Sequence, residues 1–160
     1  MASDVSARSV RDVMNADVVS IRPHDAVHDA LHLLLNKALS ALPVVNHQGR
    51  CIGILSVTDL IAMTHELVEE LSDPGRIQEV LMEWLDKNIK EVHSDRRKVA
   101  TLMTEQVVSI RPDASVLDAA QIMLQNRVHH LPVVDDDGKL VGILSTMDLM
   151  RAFLDAAQTP

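Results

Sequence analysis

The sequence predicts an α/β (α+β) fold: two β-α-β-β-α repeats packed sheet to sheet with pseudo-twofold symmetry. The first observation is an internal repeat, because residues 14–60 align without a gap with residues 103–149, and 22 of the 47 aligned positions are identical. The second is an apolar stripe of helical period between short β-branched segments in each copy. The third is a polar turn ending in glycine between the last two of these segments. We therefore place the first repeat at residues 8–62, a helical connector at 63–97 and the second repeat at 98–155.

Each repeat is predicted to begin with a short strand. Residues 18–21 and 107–110 are rich in β-branched side chains, which favour strands. An Arg-Pro pair follows each segment. Proline suits the exit turn because its ring fixes φ and it has no N–H to donate.

A helix and a hairpin are predicted to follow. Apolar residues recur with helical spacing at Val27, Ala30, Leu31, Leu34 and Leu35, and again at Val116, Ala119, Ala120, Met123 and Leu124. Residues 43–45 and 51–55 then predict two strands, joined by Asn-His-Gln-Gly in the first copy and Asp-Asp-Asp-Gly in the second. A last helix is expected to begin near Thr58 and near Met147. A three-stranded sheet with both helices on one face leaves its other apolar face uncovered. Packing the sheets of the two repeats together covers the open face of each.

The connector is predicted to be a helix laid on the body of the protein. Asp73 before Pro74 is typical of an N-cap with proline at the first helical position. One apolar stripe of helical period follows, formed by Ile77, Val80, Leu81, Trp84, Leu85 and Ile89. The alternative is a dimer contact or partner surface anchored by Trp84.

Composition excludes several classes of protein. The net charge is −8 and the sequence has no basic stripe that could bind nucleic acid. With one Trp, one Phe and no Tyr, it also lacks the aromatic side chains that stack on bases. The single cysteine, Cys51, cannot form an internal disulfide or a thiolate metal cage, and we interpret it as a core residue. We find no charged-then-apolar leader and no apolar run of membrane-span length, so we expect a cytoplasmic protein without membrane or nucleic-acid partners.

Three motifs recur in both copies at the same spacing: Met before Val-Val-Ser-Ile-Arg-Pro, then Leu-Pro-Val-Val, then Gly-Ile-Leu-Ser-x-x-Asp. Each copy resembles the CBS domain, and the tandem pair resembles a Bateman module. The motifs cover about 100 of the 160 residues. The resemblance implies a regulatory module with an adenosyl ligand in the clefts between the repeats. AMP, ADP or ATP is the implied ligand, and S-adenosylmethionine is less favoured.

The resemblance implies that the closing Ser-x-x-Asp recognises ribose and phosphate. Asp59 and Asp148 would accept hydrogen bonds from the vicinal ribose hydroxyls. Ser56, Thr58 and Ser145 would meet phosphate near the positive end of a helix dipole. Because the second copy has methionine in place of Thr58, we favour the first-copy motif. The alternative is that each aspartate is an ordinary helix N-cap.

The resemblance also implies where phosphate charge and adenine would be met. Just before its second strand, the second copy has Arg127, His129 and His130, whereas the first copy has no basic residue at those positions. The alternative is that these are partly buried polar residues at a helix–strand junction. The implied adenine slot consists of Val18, Val107, Pro43 and Pro132. Its two valines would serve equally well as core residues.

A metal site and a calcium loop are less favoured. His28 and His32 are four residues apart on the predicted helix, with His24 before them, a spacing that can hold a metal between two imidazoles. They flank the apolar stripe, and the second copy has Leu117 and Gln121 there, so we expect solvent-facing side chains and no metal. The Asp-Asp-Asp-Gly turn lacks the longer loop and closing Glu of an EF-hand.

The chain has neither a Gly-x-Ser-x-Gly elbow nor a phosphate loop, so we do not expect an enzyme. Two functional hypotheses remain. The first is a sensor in which ligand shifts an equilibrium between conformations or oligomers. The second is a protein-interaction scaffold with vestigial clefts, whose connector helix contacts a partner. Modules resembling this one commonly form disc-like dimers, so the resemblance implies a homodimer and leaves room for a regulated protein partner.

Overall fold

The computed structural model describes residues 8–63 and 98–158. The helices are α1 (Val27–Asn36), α2 (Val57–Met63), α3 (Val116–Asn126) and α4 (Thr146–Gln158); the strands are β1 (Ala41–Val45), β2 (Cys51–Ser56), β3 (His130–Val134) and β4 (Leu140–Ser145). Short 3-10 turns at Val10–Asp12 and Val99–Thr101 precede the opening methionine of each copy. The predicted connector helix with Trp84 lies outside the described residues.

The mixed α+β class is confirmed, with two small sheets, β1–β2 and β3–β4. The predicted first strand of each copy is reduced to one parallel bridge, Ile21 with Val44 and Ile110 with Val133. The N–H of Ile21 donates to the carbonyl of Pro43 at 3.0 Å, and the second copy repeats this bond. In the second copy the N–H of Val134 donates back to the carbonyl of Ile110 at 3.0 Å. The ladder does not extend toward the start of the strand, because the next donor position is a proline, Pro43 or Pro132, which has no N–H.

The two predicted hairpin turns are confirmed. In the second copy Asp135 Oδ1 accepts hydrogen bonds from the N–H groups of Asp137 at 3.0 Å and Lys139 at 2.8 Å. The first copy uses an asparagine side chain in the same way. Each turn closes with a glycine at positive φ, +78° at Gly49 and +76° at Gly138, in the left-handed region that glycine tolerates. The carboxylate of Asp135 therefore stabilises a turn.

Each amphipathic helix buries three residues of the predicted stripe, leaves the third position, Leu31 or Ala120, half-buried and exposes the last position. Leu34 and Met123 are buried, whereas Leu35 and Leu124, the next residues, are 53% and 79% exposed. These two leucines share the helical spacing of the stripe but not its burial. At 3.6 residues per turn, the position i+8 lies roughly 80° from the first residue of the stripe, at the edge of the buried face.

Contacts divide the chain into two compact units that cut across the repeats. The second-copy unit contains the described residues of Met1–Ser20, Val45–Gly53 and Glu105–Pro160. The first-copy unit contains the described residues of Ile21–Val44 and Ile54–Thr104. The opening segment is residues 8–20 in the first copy and 98–104 in the second. Each opening segment therefore lies in the unit that contains the last helix of the other copy.

Backbone hydrogen bonds make this exchange reciprocal. In the second-copy unit, Asn15 and Ile143 exchange two N–H···O bonds of 2.9 Å. In the first-copy unit the aligned residues, Thr104 and Ile54, exchange bonds of 2.9 and 3.1 Å. The sequence repeat does not show which copy each opening segment pairs with.

The exchanged segments also complete the cores. Val10 and Val99 are fully buried, and Val10 belongs to the apolar cluster of the second-copy unit. In the same unit the side chain of Met14 lies over Gly142, where an added Cβ would stand 3.1 Å from Met14 Cγ. Glycine at that point of β4 therefore leaves the space that Met14 occupies.

Candidate functional site

The closing motif of the first copy lies where β2 passes into α2. Asp59 Oδ2 accepts hydrogen bonds from the backbone N–H and the hydroxyl of Ser56, both at 2.7 Å. Ser56 Oγ in turn accepts from the N–H of Asp59 at 3.3 Å. These reciprocal bonds form a capping box, which satisfies donors at the start of the helix. The other carboxylate oxygen, Oδ1, takes no part in the box.

A residue that the sequence did not reveal approaches this second oxygen. The hydroxyl of Thr104 lies 3.5 Å from Asp59 Oδ1. Thr104 follows the opening methionine of the second copy, 45 residues away along the chain. Only the exchange of opening segments brings it to Asp59, and the repeat alone carries no signal of that exchange.

The second copy repeats the arrangement. Asp148 Oδ2 accepts from the N–H of Ser145 at 2.8 Å and from its hydroxyl at 2.6 Å, and Ser145 Oγ accepts from the N–H of Asp148 at 3.2 Å. Both aspartates are half-buried. The serine precedes the helix and the aspartate is its third residue, so the serine, and not the aspartate, occupies the N-cap position.

The same pairing occurs at two exposed places. Ser9 with Asp12, and Ser115 with Asp118, form Ser-x-x-Asp capping boxes outside the closing motifs. The hydrogen bonds of the motif are thus explained by helix capping alone. What separates Asp59 and Asp148 from these two exposed aspartates is their partial burial.

The implied adenine-slot residues fall in both units. Pro43 and Pro132 are fully buried within β1 and β3. Val18 and Val107 are half-buried and lie outside the regular strands. Pro43 belongs to the first-copy unit with Ser56, Thr58 and Asp59, and the other three belong to the second-copy unit.

The basic candidates all lie in the second-copy unit with Ser145 and Asp148. Arg127 is exposed and caps α3 in the left-handed conformation, with φ of 54°. His129 is exposed, and its carbonyl accepts the N–H of Thr146 at 3.0 Å. His130 is half-buried at the first position of β3.

Burial lowers the pKa of His130, and the positive charge of His129 lowers it further, while the carboxylate of Asp148 opposes both. The ordinary histidine pKa is about 6.5. The His130 imidazole is therefore neutral at pH 7 and offers an N–H rather than a charge to an anion. The Arg127 guanidinium carries a permanent positive charge near this junction.

We expect His130 to make stability depend on pH. Its folded pKa lies below the unfolded value, so the unfolded state binds more protons between the two pKa values, and stability falls as pH drops below about 6.5. His130→Ala installs the residue that the first copy has there, the buried Ala41. Urea unfolding at pH 7.0 and 5.5 should show a smaller loss of stability in the variant. An equal loss in both proteins would contradict the assignment.

Among residues 8–63 and 98–158, no three His, Cys, Asp or Glu side chains cluster as metal ligands would. No helix within those ranges is both long enough and apolar enough to cross a membrane.

The described elements define a tandem α+β module with a capped, half-buried carboxylate at the start of each copy's last helix. The CBS-domain profile matches residues 10–66 and 99–155. The chain belongs to the CBS-domain family.

Within that family the chain is similar to stand-alone CBS-pair proteins. The protein MJ1426 of Methanocaldococcus jannaschii is 32% identical over 154 residues, covering 91% of this chain and 90% of that protein. CBSX2 of Arabidopsis thaliana, a chloroplastic CBS-domain protein, is 33% identical over 139 residues, covering 84% of this chain and 58% of that protein.

Solved structures share the fold. The crystal structure of CBSX2 in complex with AMP matches with a TM-score of 0.72 and 29% identity, covering 95% of this chain and 100% of that chain. The CBS domain pair of protein MJ0100, solved with 5-methylthioadenosine and S-adenosyl-L-methionine, matches with a TM-score of 0.68 and 20% identity, covering 92% and 97%. The second match is a likeness of fold alone.

Proposed function

We propose that this chain is a non-catalytic regulatory module that binds an adenosyl ligand, with AMP, ADP or ATP preferred over S-adenosylmethionine. The observation that carries the proposal is the half-buried carboxylate of Asp59, with one oxygen fixed in a helix cap and the other outside it. Support comes from CBSX2, which is 29% identical to this chain across its whole structure and was solved with AMP.

The carboxylate suits a ribose for a physical reason. Its orientation is already fixed by Ser56, so little side-chain freedom is lost when a ligand binds. Asp59 Oδ1 can accept from a ribose hydroxyl, and hydrogen bonds to a charged group contribute about 1.5–3 kcal/mol. The Thr104 hydroxyl, at 3.5 Å, is a weak partner for this oxygen and leaves it available to a stronger donor.

The remaining contacts are part of the same proposal. Phosphate is assigned to Ser56, Thr58, Ser145, Arg127, His129 and His130, and adenine to Val18, Val107, Pro43 and Pro132. Each serine hydroxyl donates its one hydrogen to an aspartate, so Ser56 and Ser145 would exchange that bond for one to phosphate. Thr58, Arg127 and His129 are exposed and therefore accessible to a phosphate. Regulation further requires that the ligand bind one of two states more tightly, because a ligand of equal affinity for both shifts nothing.

The direct test is isothermal titration calorimetry of the purified chain with AMP, ADP, ATP, S-adenosylmethionine and 5-methylthioadenosine. Saturable binding of an adenine nucleotide is expected, together with stabilisation of about 2.7 kcal/mol at a ligand concentration one hundred times Kd. Inosine monophosphate tests whether the adenine amine is recognised. No saturable heat with any adenosyl compound would overturn the proposal, and steady hydrolysis of a nucleotide would overturn its non-catalytic part.

We also propose that two copies of the chain associate through α4. This helix buries Leu149, Ala152 and Ala156 on one face. Its opposite side exposes apolar side chains at helical spacing: Met147 by 63%, Met150 by 56% and Leu154 by 59%. A contiguous row of exposed apolar side chains commonly marks a protein–protein interface, so a second copy is the proposed cover.

Met150→Glu is expected to convert the dimer into a monomer, because it places a charge in the apolar surface of α4. Sedimentation velocity at micromolar concentration measures the change. Leu124→Glu is the matched control, since Leu124 is 79% exposed on α3 and lies outside that surface. A monomeric parent chain, or a dimer that survives Met150→Glu, would contradict the proposal.

The exposed surface of α4 also favours the second candidate function, an interaction scaffold. Met147 stands where the first copy has Thr58, so an apolar side chain replaces a hydroxyl at the start of the last helix. A scaffold would keep its association in the presence and absence of every adenosyl compound. A sensor would change association or stability with one of them.

A further inference from the structure

Two histidines on α1 lie apart from the proposed ligand residues and contact each other. His28 and His32 occupy successive turns of the helix. Their ring centroids are 4.5 Å apart with an interplanar angle of 80°, an edge-to-face contact. His28 is half-buried and His32 is exposed, so solvent reaches the pair.

The fold does not require this pair. The aligned positions in the second copy, on α3, hold Leu117 and Gln121. Leu117 is 45% exposed, so this side of the helix accepts different chemistry without loss of the α-β-β-α elements. Apolar packing of α1 uses Val27, Ala30 and Leu34 instead. The shared architecture therefore does not require an imidazole at either position.

The spacing and the ring contact together suit a bridging metal ion. Residues at i and i+4 on a helix have Cβ atoms about 5–6 Å apart, and paired histidines at this spacing bind zinc in metalloprotease helices. With Zn–N distances of about 2.0–2.1 Å, the two donor nitrogens must come within roughly 4.2 Å of each other. Rings already in contact reach that geometry by rotation about χ2, a torsion that is broad in histidine.

The surroundings are compatible with a cation. Asp29 lies on α1 three residues before His32, which makes them neighbours on the helix surface. The chain carries a net charge of −8, which attracts cations in general. Within residues 8–63 and 98–158 no third metal-binding side chain joins the pair, so a bound ion would complete its coordination with water.

The ring contact departs from the sequence expectation of two separate, solvent-facing side chains without metal. We propose that His28 and His32 form a two-imidazole site for an exchangeable transition-metal ion of the zinc, nickel and copper group. Imidazole suits these ions, and affinity at a given site rises from nickel to copper and falls again at zinc. The site is independent of the adenosyl-binding proposal, because it shares no residue with it.

Calorimetric titration of the untagged chain with zinc chloride at pH 7.5 tests the site. One equivalent is expected to bind, with affinity at least tenfold weaker in His28→Leu and in His32→Gln, and saturable binding lost in the double variant. These substitutions copy the second-copy residues on α3, so folding should be preserved, and circular dichroism checks it. His47→Gln alters an exposed histidine in the hairpin turn and should leave affinity unchanged.

Imidazole NMR gives a second readout. Of the eight histidines, only His28 and His32 should shift on addition of zinc. Absence of saturable zinc binding by the parent chain would overturn the proposal. Unchanged affinity in the double variant, or shifts confined to other histidines, would overturn it too.

Discussion

Asp59→Ala is expected to weaken binding of AMP about 100-fold. The variant removes the carboxylate oxygen that is proposed to accept a hydrogen bond from the ribose. Losing a hydrogen bond to a charged acceptor costs about 1.5–3 kcal/mol of binding free energy. Since about 1.4 kcal/mol corresponds to a tenfold change in Kd, the loss is about 100-fold. It also removes the capping box of α2. A loss of affinity could therefore arise from helix destabilisation as well as from lost contacts to the ligand.

Asp118→Ala separates these two causes. Asp118 forms the same Ser-x-x-Asp box with Ser115 at the start of α3, but it is exposed and outside the closing motif. Both variants lose a cap interaction of about 1 kcal/mol, so both should melt at a lower temperature. Only Asp59→Ala should lose AMP affinity in calorimetric titration.

Asp148→Ala completes the comparison. If both copies bind ligand, it lowers stoichiometry or affinity in the same titration, whereas a single first-copy site leaves both unchanged. Equal affinity for AMP in Asp59→Ala and the parent chain would falsify the role of this carboxylate. Equal losses in Asp59→Ala and Asp118→Ala would reduce the closing motif to a helix cap.

The sequence predicted turns and helices well, because their residue patterns depend on neighbours along the chain. The turn glycines Gly49 and Gly138 have the positive φ that their polar turns require, and the stripe residues Val27 and Val116 are buried. Each of these features depends on neighbours within about eight residues. The predicted first strand of each copy forms only one bridge, because a proline in the neighbouring strand lacks the N–H for the next ladder bond. The residue pattern within the first strand cannot show which strand lies beside it.

Long-range pairing could not be predicted from the repeat. A duplicated sequence is equally compatible with opening segments that pair within their own copy and with segments that exchange, since aligned residues are alike. Asn15 and Thr104 show the outcome: each pairs with the strand of the other copy. The approach of Thr104 to Asp59 follows from that exchange and was missed for the same reason.

The sequence did not show the hydrogen bonds that form within the closing motif. The sequence indicated a hydroxyl for phosphate at Ser56 and Ser145, whereas both hydroxyls are engaged with the aspartate three residues later. A capping box has the same Ser-x-x-Asp spacing as the family motif. Only burial, which depends on the whole fold, separates Asp59 from the exposed Asp12.

Val10→Ala is expected to lower the free energy of unfolding by about 2 kcal/mol, because it removes two buried methyl groups and leaves a cavity. For a chain of this length the melting temperature should fall by about 4–8 °C. Val10 is fully buried in the core of the second-copy unit, although it belongs to the first repeat by sequence. Val99→Ala is the matched variant, fully buried at the aligned position.

Hydrogen exchange then distinguishes exchanged segments from segments that pair within their own copy. The N–H of Ile143 donates to Asn15, and the N–H of Ile54 donates to Thr104. Under native conditions Val10→Ala should speed local exchange at Ile143 while Ile54 stays protected, and Val99→Ala should do the reverse. The opposite pattern would mean that each opening segment stabilises its own copy. In that case Thr104 could not approach Asp59, and the surroundings assigned to that carboxylate would be wrong.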